Sequence, residues 1–130
     1  MKSIIPFLMF DGTAEEAVNF YVSTFGDTKI IHTAYYGNEV PEHEWKAMHI
    51  VFTIKNQVYM ALNSYEDHKF GFTPSISLYV NCDDEAELDR LYKTMVEGGN
   101  ELMALGSYGF STKYGWINDK FGVSRQLNLE

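Results

Sequence analysis

The chain has 130 residues, a net charge of −8, and 45% hydrophobic and 15% aromatic content. That describes one folded domain able to bury roughly 65% of its unfolded surface, not a disordered segment. The acidity and the lack of a Lys/Arg cluster exclude a nucleic-acid surface, and no apolar run approaches the ~20 residues of a membrane span.

Taken in chain order, Ile4 to Phe10 is the first predicted strand. Thr13-Ala14-Glu15-Glu16 has the spacing of a capping box, in which Thr13 accepts from the N3 amide and Glu16 reaches back. Ala14, Ala17, Val18, Tyr21 and Phe25 form the apolar stripe of the helix it opens, and Gly26 is expected to close it. Lys29 to Tyr36 reads as a strand, followed by a polar loop from Gly37 to about Lys46. Ala47 to Ile54 and Val58 to Ser64 read as two strands joined at Lys55-Asn56-Gln57.

Residues 65–73 lead into a second round of the same grammar. Ser75 to Cys82 is a strand, and Asp83-Asp84-Glu85 starts a helix with negative charge at its positive end. Leu88, Leu91, Tyr92, Met95 and Val96 supply its stripe, and Gly98-Gly99 stops it. Glu101 to Leu105, Lys113 to Asn118 and Val123 to Leu129 complete the set, with Asp119 and Gly122 bracketing a tight reversal. The order β-α-β-β-β thus occurs twice, at a spacing of about 70 residues. One α+β domain over residues 1–130 is expected, with modules at about 1–64 and 74–130. A doubly wound sheet is excluded because strand and helix do not alternate strictly, which leaves a ferredoxin-like fold as the main structural rival.

Strand alternation sorts the side chains into two faces. Ile50, Phe52 and Ile54 oppose His49, Val51 and Thr53. Met60 and Leu62 oppose Tyr59, Ala61 and Asn63; Ile76, Leu78 and Val80 oppose Ser75, Ser77, Tyr79 and Asn81; Leu127 and Leu129 oppose Gln126 and Asn128. The purely apolar face is expected under the helices. The mixed face collects His49, Tyr59, Tyr79, Trp116 and Gln126, a mixture suited to a small-molecule pocket between the modules. The same face would also suit packing on a second subunit or contact with solvent. His43 and His68 lie in acidic loops and read as solvated, and His32 reads as a structural strand histidine. Ser111 and Ser124 have no nucleophile-elbow context. Cys82, the single cysteine, excludes an intramolecular disulfide, fits a reducing cytoplasmic setting, and falls with the apolar face.

Pro6-Phe7-Leu8-Met9-Phe10 before Gly12, then Phe20-Tyr21, Phe25-Gly26 and Asp119-Lys120-Phe121-Gly122-Val123-Ser124, resemble the PhnB-like branch of the vicinal oxygen chelate superfamily. That superfamily includes glyoxalase I, extradiol dioxygenases and bleomycin-resistance proteins. The resemblance spans essentially the whole chain and implies a glyoxalase-like fold: a curved mixed sheet forming a cup. One departure is Arg125, where the branch usually shows Trp. Members often carry a demethylubiquinone methyltransferase name, yet no glycine-rich loop follows a strand here to hold an adenosyl cofactor.

The resemblance implies metal-ligand positions on the first and last strands of each module. They fall on Pro6, Asn63, Ser75 and Gln126, none of which is a strong ligand. No metal and no cofactor are therefore expected. The leading expectation is a small-molecule-binding protein without the superfamily metal site. The alternatives are a metal-dependent lyase, isomerase or dioxygenase with a site rearranged around His49, and a non-catalytic interaction protein. Whether the chain is an enzyme is left open. A homodimer is expected, since half-open sheets leave edges to cover.

Overall fold

A computed structural model describes residues 1–39, 41–43, 45–64, 66 and 68–130, without the side chain of His43. The expectations that fall on Val40, Glu44, Tyr65, Asp67 and the His43 side chain lie outside the described residues. The chain divides into two compact units, Met1–Lys69 and Phe70–Glu130.

The first unit runs β1 (Phe7–Phe10), α1 (Ala14–Thr24), β2 (Thr28–Tyr35), a 3₁₀ turn (Pro41–His43), β3 (Ala47–Ile54) and β4 (Gln57–Asn63). Its sheet has the order β1-β4-β3-β2, with β1 parallel to β4 and the other pairs antiparallel. β1 starts at Phe7, later than the expected Ile4. Pro6 has no N–H to donate, although its carbonyl still accepts from the Met60 amide at 3.0 Å. Ala14, Ala17, Val18 and Tyr21 of α1 are buried over Ile50, Phe52 and Ala61.

Two expectations about α1 are corrected. Thr13 makes no side-chain cap, so the capping box does not form. The Ala14 amide instead donates to Asn63 Oδ1 at 2.8 Å, from the end of β4. At the other end, Phe25 is extended and its amide reaches the Tyr21 carbonyl, while Asp27 rather than Gly26 takes the left-handed conformation, at φ +55°.

The second unit repeats the topology with β5 (Leu78–Asn81), α2 (Glu85–Val96), β6 (Asn100–Gly106), β7 (Lys113–Asn118) and β8 (Ser124–Leu129). The order is β5-β8-β7-β6, with β5 parallel to β8. Here a reciprocal cap does form. Asp84 accepts from the Glu87 amide at 2.8 Å, and Glu87 Oε1 accepts from the Asp83 amide at 2.8 Å. Leu88, Leu91 and Met95 are buried with Ile117 and Leu127. β5 is shorter than expected: Ser75 lies before the ladder, its hydroxyl paired with Thr73 at 2.7 Å, and Ile76, expected on the face under the helix, also precedes the strand and is exposed.

The reversal between β7 and β8 is held by Asp119. Its Oδ1 accepts from the amides of Phe121 (2.8 Å) and Val123 (3.1 Å), and Oδ2 accepts from Arg125 Nε at 3.2 Å. Gly122 sits at φ +90°, a region open to glycine at little cost. Together the two four-stranded mixed sheets and two helices make the α+β, glyoxalase-like arrangement. Among the described residues, no helix is long and apolar enough to cross a membrane.

Candidate functional site

Partners in a ladder project to the same side, so the registers decide which face each candidate occupies. In the first unit, Ile50 pairs with Ala61 and Phe52 with Tyr59, on the side buried against α1. The Tyr59 ring stacks on Phe52 with centroids 5.4 Å apart. Tyr59 is therefore on the helix side, contrary to the expected alternation of β4. Met60 and Leu62, expected beneath the helix, are on the open side with Val51 and His49. β4 carries apolar residues on both faces, so apolar alternation does not single out the buried one. The closely packed helix side of β4 instead holds the small Ala61 and the capping Asn63.

The open side of the first unit is mostly hydrocarbon and thioether. Phe7 pairs with Met60 and Met9 with Leu62. His49 is half-buried among them, with Nε2 3.2 Å from Met60 Sδ and its ring 5.5 Å from that of Phe7.

In the second unit the helix side is marked by Gly115, where a Cβ would meet the Tyr92 ring at 2.7 Å. Gly115 pairs with Leu127 and Ile117 with Arg125 on that side. The opposite side carries a row across three strands: Tyr79 beside Gln126 beside Trp116. Tyr79 is 51% exposed, and Gln126 and Trp116 are half-buried. The next row holds Asn81, Asn128 and Tyr114. Tyr114 O–H donates to Gln126 Oε1 at 2.6 Å, and Trp116 Nε1 donates to Ser124 Oγ at 2.8 Å. Ser124 Oγ is also 2.7 Å from Ser77 Oγ. Tyr108 and Phe110, from the segment between β6 and β7, pack on Tyr114, with Phe110 edge-on at 4.8 Å. Burial, together with the nearby Tyr79 and Tyr108 phenols, raises the Tyr114 phenol above its usual range, so at neutral pH it is a proton donor.

Other titrating groups are structural. Burial, reinforced by the charge of Glu87, pushes the Cys82 thiol up to about 11, so this half-buried sulfur is a poor nucleophile at neutral pH. Tyr92 O–H is hydrogen-bonded to Glu101, and burial with that bond raises its phenol well above the ordinary range.

The residues at the implied metal-ligand positions do not fit a metal. Asn63 is 1% exposed, with Oδ1 occupied by the Ala14 amide and Nδ2 donating to the Ala47 carbonyl at 2.8 Å. Pro6 and Ser75 lie outside the strands, and Gln126 Oε1 already accepts from Tyr114. Among the described residues, no group of three or more His, Cys, Asp or Glu side chains is arranged to hold an ion. Protein purified without chelator or polyhistidine tag is expected to carry well under one equivalent of divalent metal by elemental analysis. A stoichiometric ion, bound at His49 or Gln126, would overturn this.

Sequence reasoning missed Tyr114, Ser124 and the open-side methionines. Alternation would have placed Tyr114 with Trp116 along β7 and Ser124 with Gln126 along β8, but the methionines needed the register.

A family model described as 3-demethylubiquinone-9 3-methyltransferase matches residues 2–128. A PhnB protein from Bacillus cereus bearing the same methyltransferase description is 46% identical over 99% of this chain and 100% of its own, with a TM-score of 0.95. Protein PA1353 from Pseudomonas aeruginosa is 27% identical over 100% of this chain and 98% of its own, with a TM-score of 0.86. The fosfomycin resistance protein FosX from Listeria monocytogenes shares the fold at 7% identity, covering 98% of this chain and 92% of its own, with a TM-score of 0.66. No curated protein sequence matches. The family description implies an adenosyl methyl donor, but the residues after β1 and β5 are Asp11-Gly12-Thr13 and Cys82-Asp83-Asp84, not a glycine-rich cradle. That cofactor does not fit, and no methyl-transfer step is assigned. With its match running nearly end to end, the chain belongs to this PhnB-like family.

Proposed function

We propose that the protein binds a small, uncharged, partly aromatic molecule on its helix-free sheet faces, without the metal of its superfamily. The observation that carries this reading is the row Tyr79–Gln126–Trp116, two rings flanking an amide on a face with no Lys or Arg among its paired residues. Flat apolar walls with one or two aimed polar groups suit such a ligand, and the lack of cations disfavours an anion. His49, set between Phe7 and Met60, is the matching group of the first unit.

The test is a thermal-shift screen of neutral aromatic compounds with anionic counterparts. Neutral compounds are expected to raise the melting temperature. Tyr79→Ala and His49→Ala, made separately because they lie in different units, are expected to reduce that rise while the ligand-free protein melts nearly as before. A hit unaffected by both substitutions would refute the reading.

The homodimer is part of the same proposal. β1, β2, β5 and β6 are edge strands, and Phe7, Ile31 and Tyr35 on them are exposed. Light scattering at micromolar concentration is expected to give about twice the 14.9 kDa of one chain. A monomer mass would count against it.

A further inference from the structure

On the open side of the second unit many polar groups are engaged with one another, while the buried oxygens Asn118 Oδ1 and Asn128 Oδ1 have no hydrogen-bond partner among the described residues. Trp116 Nε1 donates to Ser124 Oγ, which is paired in turn with Ser77. Asn128 Nδ2 donates to Asn81 Oδ1 at 3.1 Å. Gln126 is different. The Tyr114 hydroxyl, itself buried, donates to its Oε1. The Nε2 end is left with two N–H donors, half-buried between the Tyr79 and Trp116 positions. A half-buried donor flanked by rings favours a ligand that brings an acceptor to it, and disfavours one that leaves it facing hydrocarbon.

Resting on the binding role proposed above, we infer that this face recognises an uncharged planar aromatic molecule through one hydrogen-bond acceptor, a carbonyl-type oxygen received by Gln126 Nε2, with Tyr114 acting as the positioning residue that holds the amide in its donating orientation. Gln126 then serves as a donor to a ligand, not as an oxygen ligand to a metal. The neighbouring Tyr108 and Phe110 extend the aromatic surface; Phe110 is 61% exposed. The selectivity follows from chemistry: a carboxylate would meet no cation here, and a ligand offering only donors would face the amide hydrogens with its own.

Three probes of one ring system test this: 2-acetylnaphthalene, which carries the acceptor; 2-ethylnaphthalene, which has the same outline without it; and 2-naphthoate, which is charged. Binding is measured by calorimetry on the full chain. The acetyl compound is expected to bind about tenfold more tightly than the ethyl compound, the ratio one hydrogen bond of ordinary net strength supports. Naphthoate is expected to bind more weakly than the acetyl compound. Gln126→Leu should abolish the acetyl preference while keeping ethyl binding, and Tyr114→Phe, which frees the amide to turn, should reduce it. Should Gln126→Leu fail to fold, the side-chain amide protons of Gln126 in the unaltered protein provide the readout. They are expected to shift on titration with the acetyl compound and not with the ethyl compound. Equal affinity for the two neutral probes, or an acetyl preference that survives Gln126→Leu, would overturn the recognition role and leave aromatic binding standing. Failure of both neutral probes to bind would overturn the binding role as well.

Discussion

Asp119→Ala is expected to lower the unfolding free energy by about 3–5 kcal/mol, the range for a buried ion pair broken from one side. Asp119 and Arg125 are each 2% exposed. The carboxylate accepts from two turn amides with one oxygen and from the guanidinium with the other. Alanine therefore removes the charge that faces a buried cation and two of the bonds that shape the β7–β8 reversal. Asp119→Asn, which keeps an acceptor for the amides, should cost less. The double variant D119A/R125L should be less destabilised than the sum of the single changes, since the second removes the charge the first exposes to an apolar setting. Urea denaturation with unchanged m-values checks the series. A loss under about 1 kcal/mol for Asp119→Ala would show that the turn does not depend on the carboxylate.

Leu91→Ala is expected to cost about 3–4 kcal/mol, and Val18→Ala about 2 kcal/mol, through lost burial plus the cavity left behind. Leu91 is 2% exposed beneath α2, and Val18 is 1% exposed beneath α1. The larger side chain leaves the larger void. Neither residue reaches an open face, so ligand-induced stabilisation should survive in both variants at temperatures where they remain folded. Denaturant midpoints that barely move would mean the stripes are not core.

The order of elements was legible because it rests on local signals. Apolar stripes at helical spacing, glycine pairs at a helix end, and the Asp119–Gly122 reversal each speak for themselves within a few residues. The faces of β3, β5 and β8 were legible too, because large apolar residues there alternate with polar ones. β4 misled for a physical reason. Its segment Tyr59-Met60-Ala61-Leu62-Asn63 is apolar on both sides, so alternation alone does not say which side is in. Only the register with Ile50 and Phe52 resolves it. Asn63 was opaque from sequence for a related reason: its partners, Ala14 and Ala47, are distant in the chain. Similarly, Gln126 could be named as a candidate from its alternation, but its hydrogen bond from Tyr114 on the adjacent strand could not.

The two helices differ in how they are capped, and that difference bears on the sequence of events in folding. α2 carries its own start signal, Asp84 and Glu87 being three residues apart. A helix capped from within can nucleate on an otherwise unstructured chain. α1 borrows its capping oxygen from a residue 49 positions downstream, and so its first turn is completed only when β4 has arrived. During synthesis from the N-terminus, the first turn of the earlier helix therefore waits for the end of its own unit, whereas the cap of the later one is made within its own sequence. The repeated topology thus hides two dissimilar starts: one helix capped from within, and one capped by its sheet.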